Sequence, residues 1–309
     1  MTTQNKESRY TGVPGSPAGL TSVKNYREEI SRTGSKTGQN DGCGPNPKGR
    51  LQLDDARLKE VRGSLKIGTW NFRTLFQQGK LENLIKEAED LKVDILGICE
   101  HRWTEDGVVK RDSHTLIYSG GKLHEYGVGV LLTTRMTKYV MGTWPVSNRN
   151  LLVKLRGQPF NISLIQTYAP TGQHTEEEVE IYYEELQMLL KEVKSTEVLI
   201  ISGDFNAKVG EGQQDDIVGK YGLGERNERR ERLIQFCEEN NLMIANTHFR
   251  KHPKNLYTWK SPGDCIRNQI DYILVRKRFR NSVKDCKTFP GAGMYSEHNP
   301  VISKLKIRL

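Results

Sequence analysis

The sequence predicts an α/β domain of two packed sheets with helices on the outside. Three observations carry this. Short apolar runs of strand length recur from residue 65 onward, a few longer segments repeat their apolar residues at helical spacing, and the two kinds partly alternate along the chain.

The first run, "LKIGTWN" (65–71), is a strand that ends on a polar residue. Leu81, Leu84, Ile85, Ala88 and Leu91 then fall on one helical face, and "VDILGICE" (93–100) follows as a second strand. The next strands are "TLIYSG" (115–120), "GVGVLLTT" (127–134), "LLVKLR" (151–156) and "NISLIQTYAP" (161–170). A helix is predicted over about 175–194, where Val179, Tyr182, Tyr183, Leu186, Leu189, Leu190 and Val193 form a core-facing stripe. "EVLIISGDF" (197–205) is a strand, 227–240 a helix, and "LMIANT" (242–247), "NQIDYILV" (268–275) and "PVISKLKIRL" (300–309) complete the set.

Residues 1–62 have a different texture, rich in Gly, Ser, Thr, Asn, Lys and Pro. Such a stretch cannot bury enough apolar surface to offset its ordering entropy, so a disordered basic tail is expected there, with one domain over 63–309. No apolar core of signal-peptide type opens the chain and no run approaches the length of a membrane span, so no membrane partner is expected. The five cysteines include no CxxC pair, which excludes a zinc ribbon or disulfide framework and suits a reducing compartment. The net charge is +9, and residues 251–309 alone carry 13 Lys+Arg against 4 Asp+Glu. A polyanionic partner, nucleic acid above all, fits that balance, and no obligate protein partner is evident.

The chemistry is legible where strands end. Asn71, Glu100, Tyr168 and the pair Asp204 and Asn206 all stand at the ends of apolar runs; Asp271 lies inside one and His298 just before the last. Each admits a structural reading on its own: a turn asparagine, a surface carboxylate beside Arg102, a capping aspartate, a core tyrosine, a structural histidine. Asp271 resists this, because a carboxylate between Ile270 and Ile273 needs a cation or several donors. Together they form a consistent set. Glu100 is a hard oxygen donor for Mg²⁺, with Mn²⁺ as a substitute, and Asn71 adds a neutral oxygen or holds a water of the metal. Asp204 and Asn206, two apart in extended chain, share a face and can hold an attacking water. Asp271 can fix the tautomer of His298, which then acts as base or, protonated, stabilises phosphate oxygens. In-line phosphodiester hydrolysis fits this division of labour. A Ser-His-Asp hydrolase and a P-loop NTPase are excluded by the lack of GxSxG and GxxxxGK[ST].

The ordered motifs "IGTWN", "LGICEHRW", "QTYAPT", "SGDFNAKVG", "NQIDYILV" and "SEHNPV" resemble the endonuclease/exonuclease/phosphatase superfamily. "TWNFRTL", "GERNERRERLIQFCEENNLMIANTHF" and "YTWKSPGDCIRNQIDYIL" resemble in particular the apurinic-type endonuclease domain of non-LTR retrotransposons. The resemblance implies a four-layer sandwich of two mixed β-sheets flanked by helices, and a Mg²⁺-dependent DNA nick that leaves a 3′-hydroxyl. It implies metal contact at Asn71, Glu100 and Glu297, phosphate contact at Tyr168, water handling at Asp204 and Asn206, and a dyad of Asp271 and His298. Two residues depart from the pattern. Arg73 stands where cellular abasic-site enzymes have an acid, and Glu297 replaces the usual Asp before the motif histidine. One extra methylene there predicts reduced activity. No polymerase motif follows, so a fragment copy or a host gene made from an element is expected. The expected partner is DNA, bound through the basic C-terminal segment, and the expected location is nuclear. Two other readings compete: a weak or inactive nucleic-acid or protein-binding module, and a phosphatase on lipid or inositol phosphates.

Overall fold

The computed structural model describes residues 64–292 and 296–307. The tail expected over 1–62 lies outside the described residues. Two large sheets pack face to face. One runs β14 (Val283–Thr288), β15 (Val301–Leu305), β1 (Leu65–Asn71), β2 (Ile95–Cys99), β5 (Val128–Thr133), β4 (His114–Ser119), β3 (Asp106–Lys110). The other runs β10 (Leu242–Ile244), β13 (Asp271–Arg276), β9 (Val198–Asp204), β8 (Ile162–Tyr168), β7 (Asn150–Leu155), β6 (Val140–Pro145). A short ribbon pairs β11 (Trp259–Lys260) with β12 (Arg267–Asn268).

Both sheets are mixed. β1 and β2 are parallel, as are β8 and β9, while the remaining ladders of the two large sheets are antiparallel. Period-two alternation sorts the side chains of each strand between the inner and outer faces. Ile67, Ile95, Val130, Val153, Leu164, Ile200, Ile273 and Val301 meet between the sheets in one buried cluster. The outer face of the first sheet presents Trp70, Leu96, Ile98 and Ile302 to Leu81, Leu84, Ile85 and Ala88 of the helix Lys80–Asp90. The outer face of the second presents Leu152, Ile165, Leu199 and Ile201 to the helices Glu176–Lys191 and Arg229–Glu239. The longer of these helices starts at a capping box: Thr175 accepts from the Glu178 backbone, and the Glu178 side chain accepts from the Thr175 backbone. The result is the expected order helix, sheet, sheet, helix.

Three strands of the two large sheets were absent from the sequence expectation: β3, β6 and β14. Each is an edge strand. β3 ("DGVVK") is exposed or half-buried throughout, and β14 ("VKDCKT") interleaves charge with burial, so neither shows an apolar run. "LMIANT" is a strand only over Leu242–Ile244, after which it turns into a 3₁₀ segment, Ala245–His248.

Candidate active site

The parallel pairings align strand ends. Asn71 sits opposite Cys99, so Glu100 follows immediately beside it. Tyr168 sits opposite Asp204, and Asp204 opposite Asp271, where antiparallel β13 begins. One pole of the sandwich thereby gathers Asn71 and Glu100 from one sheet and Tyr168, Asp204 and Asp271 from the other. Asn71, Tyr168, Asp204 and Asp271 occupy the inner-face parity of their strands, continuing the rows that hold the core. His298 arrives on the chain leading into β15. Trp70 Nε1 donates to its carbonyl at 2.9 Å, and Ser296 Oγ donates to the Asn71 carbonyl at 2.6 Å while accepting from the His298 backbone at 3.0 Å.

These side chains surround a cavity of about 440 Å³ that Asn71, Glu100, Tyr168, Asp204, Asn206, Glu297 and His298 all line, together with Arg73, Arg102 and Lys208. His298 Nδ1 is 2.9 Å from Asp271 Oδ2, which fixes the ring. Its Nε2 is 3.9 Å from Asp204 Oδ2, too long for a hydrogen bond between them. Asn71 Nδ2 donates to Glu100 Oε1 at 2.8 Å and to Asp204 Oδ2 at 3.1 Å. One amide thus ties together two carboxylates that belong to opposite sheets.

One expectation needs correction in detail. Asp204 and Asn206 do not share a strand face: β9 ends at Asp204, and Asn206 turns into the left-handed region at φ 48°. The pair stays together because the Asn206 backbone N–H donates to Asp204 Oδ1 at 3.0 Å, and Asn206 Nδ2 donates to the Ala169 carbonyl at 2.8 Å. Asn71 Oδ1 accepts from the Arg73 backbone at 3.1 Å. Glu297 Oε1 pairs with Arg73 at 2.8 Å. The two residues that depart from the superfamily pattern are bonded to each other.

The electrostatics follow from burial. Asp204 is held up to about 7, first because burial penalises its charge and then because Asp271 adds a like charge; His298, the Asn206 N–H and Asn71 pull the other way. Burial alone would depress His298, but Asp271, its hydrogen bond, Asp204 and Glu100 outweigh this and raise it to about 9. The imidazole is therefore cationic at neutral pH. Burial raises the Tyr168 hydroxyl well above its usual range, and the Glu100 and Asp204 charges and a hydrogen bond with Glu100 add to this.

Two donor sets bear on a divalent cation. Glu100 offers a hard oxygen at the cavity wall, where it accepts from Asn71 Nδ2, shares a hydrogen bond with Tyr168 and has a 3.4 Å contact from Oε2 to Arg102. Asp204, Asp271 and His298 bring one ligand atom each within 4.8 Å of one another, and the buried Asp271 Oδ1 has no hydrogen-bond partner. The chemistry favours the first for a hard ion, because it offers oxygen alone, whereas the second set includes an imidazole nitrogen. The residues present fit a divalent cation.

Residues that the sequence did not single out complete the floor. Gln166, buried on the inner face of β8, donates to Thr69 Oγ1 at 3.0 Å and accepts from Ser202 Oγ at 2.8 Å, linking both sheets beneath the cavity. Gly97 is required opposite it, since a Cβ there would lie 1.8 Å from Gln166 Oε1. Arg149 lies 4.0 Å from the Tyr126 ring and 5.3 Å from the Tyr168 ring, and donates to the Tyr168 carbonyl at 3.2 Å. The signal for Gln166 was in the strand: in "NISLIQTY" it falls on the parity of Ile162, Leu164 and Tyr168. Arg149 left no such trace.

Two mixed sheets flanked by helices, with this cavity at their common pole, define the class of fold that the chain shares with endonucleases of known structure. A family model described as endonuclease-reverse transcriptase matches residues 162–302. Within the class, the chain is similar to craniofacial development protein 2 of Bos taurus, 39% identical over 287 residues, which is 91% of this chain and 48% of that protein. The chain therefore spans about half the length of that curated relative. Among solved structures it is similar in fold to the AP endonuclease LMAP from Leishmania major (TM-score 0.61, 15% identity, 94% of this chain and 97% of that one). It is likewise similar to the endonuclease domain of TRAS1, a telomere-specific non-LTR retrotransposon (TM-score 0.58, 14% identity, 80% and 100%).

Proposed function

We propose that residues 63–309 form a divalent-metal-dependent phosphodiester hydrolase that nicks DNA and leaves a 3′-hydroxyl, derived from a non-LTR retrotransposon and working in the nucleus. The observation that carries the reading is the convergence of Glu100, Asp204 and His298, from three separate segments, on one cavity. The names of the Leishmania and TRAS1 proteins support the same reaction class, and no helix among the described residues is long and apolar enough to cross a membrane.

Glu100 would hold the ion, Mg²⁺ or Mn²⁺, which when bound supplies charge neutralisation at the phosphate oxygens. Asn71 keeps Glu100 and Asp204 in register across the gap between the sheets. Asp204 and Asn206 orient a water; its oxygen bonds to phosphorus, its proton passes to Asp204, and the P–O3′ bond breaks as O3′ leaves and takes up a proton. Protonated His298, steadied by Asp271, faces the developing phosphate charge, and Tyr168 contacts the same group. Relaxation of supercoiled plasmid in Mg²⁺, absent in chelator and absent in Asp204→Ala, is the expected result. Equal relaxation by Asp204→Ala would assign the cutting to a contaminant, and release of phosphate from inositol phosphates without nicking would favour the phosphatase reading.

A further inference from the structure

Arg276, Lys277, Arg278 and Arg280 stand out in the sequence, yet the fold takes them away from the cavity. β13 begins at Asp271 in the site and ends at Arg276. Five steps of about 3.3 Å carry the chain roughly 17 Å to the opposite pole of the sandwich. There Arg276 Nη1 donates to the carbonyls of Lys194 and Ser195 at 3.1 and 3.3 Å. Arg278 is exposed, 5.9 Å from the Phe160 ring and 5.6 Å from Phe279. Arg280 is exposed and has only a 3.6 Å contact with Asp216, itself 69% exposed. Exposed Lys194 lies in the loop that Arg276 caps, and exposed Lys306 is anchored through its backbone N–H to the Ser282 carbonyl. Besides Asp216, Glu197 lies beside this cluster, but it is buried and pairs with Lys154 at 3.3 Å. A straight duplex seated at the cavity cannot also touch this surface.

We propose that this pole is a second nucleic-acid backbone site, which holds a duplex segment other than the one presented to the cavity. The chemistry is a spread of guanidinium and ammonium groups, with Arg278 lying over aromatic rings. Such a surface pairs with phosphates without reading bases. The inference rests on the reading of the cavity as a nucleic-acid site, but its test does not require cleavage.

The test compares the parent chain with Arg278→Glu/Arg280→Glu, both exposed positions, after melting curves establish that the variant is folded. Bridging is measured as capture of a labelled short duplex by protein held on a second, immobilised short duplex. Affinity for a longer duplex is measured against salt. The expected variant loses bridging about tenfold, its salt slope falls by about 2, and its nicking of a short duplex is unchanged. Unchanged bridging and slope overturn the proposal. So does parent protein that sediments as a dimer under bridging conditions, since two cavities would then explain capture. Tighter binding of a polyglutamate peptide than of DNA at the parent's pole would reassign the surface to an acidic protein. A parent that binds and bridges duplexes but never nicks removes the proposed hydrolase and leaves this site standing.

Discussion

The two sheets contribute unequally to the cavity. The six-stranded sheet places Tyr168, Asp204 and Asp271 on the strands themselves, opposite one another in the ladder and almost wholly buried. The seven-stranded sheet supplies Asn71 from a strand end, but Glu100 follows the end of β2, in a left-handed conformation at φ 58° and partly exposed. Register positions the first set. Hydrogen bonds from Asn71 to Asp204 and between Tyr168 and Glu100 hold the second against it. On the proposed function, the six-stranded half holds the water-handling groups rigidly in its ladder, and in the seven-stranded half the cation ligand hinges on side-chain hydrogen bonds.

That contrast can be broken from its rigid side first. Asp204→Ala removes the group to which the proposed function gives the water's proton, and plasmid nicking is expected to fall at least about 10³-fold while low-salt DNA retention persists. The isosteric Asp204→Asn is expected to lose activity equally yet raise the melting temperature by a few degrees, because it removes a buried charge facing Asp271. A lowered melting temperature in that variant would mean that the carboxylate is better compensated than its elevation to about 7 implies.

Asp271→Asn comes next, with an expected loss of about 10²-fold and a distinctive pH signature. In the parent, activity should grow as pH rises through about 7, where Asp204 ionises, and decline above about 9, where His298 loses its proton. Removing the carboxylate that holds His298 up moves the alkaline limb downward. A profile with an unmoved alkaline limb would detach His298 from it. His298, raised in the fold, also stabilises the native state fully below the ordinary imidazole range, and that contribution fades as pH climbs through about 9.

The hinged side should respond more softly. Glu100→Gln is expected to cost about 10–10² in rate and to raise the Mg²⁺ concentration needed for half-maximal nicking, read from a metal titration. Arg73→Ala, which frees Glu297 at the rim, should shift KM by less than about tenfold and leave kcat nearly intact, because both side chains are substantially exposed. A kcat collapse in Arg73→Ala would place this ion pair among the groups acting on the reacting phosphate.

The legibility of the molecule in its sequence follows the same division. Interior strands were readable because both of their faces are buried, as in "VLIISGD" and "DYILV". The edge strands β3 and β14 were not, because an edge that must resist pairing carries charge where a core strand carries apolar side chains. The identities of Asp204, Asp271 and His298 as companions were legible from strand ends alone. That Asn206 would stand beside Asp204 was legible, but its geometry was not: a side chain two residues on keeps its face only while the chain stays extended, and here it turns. The partnership of Arg73 with Glu297 spans 224 residues and leaves no periodic trace. The basic tract at 276–280 is near Asp271 in sequence but far from it in the fold, because the intervening strand runs through the depth of the sandwich.

Arg73, Glu100, Arg102 and Asn206, all lining the cavity, hold φ between 48° and 66°, where residues with a Cβ sit at a cost of about 1–3 kcal/mol each. Swapping such a residue for glycine usually softens a protein. At these four sites it should do the reverse, releasing tension that surrounding contacts now absorb. A laboratory lineage selected purely for heat resistance would be drawn toward glycine here, and each gain in endurance would be taken from the ring of side chains that greets the substrate.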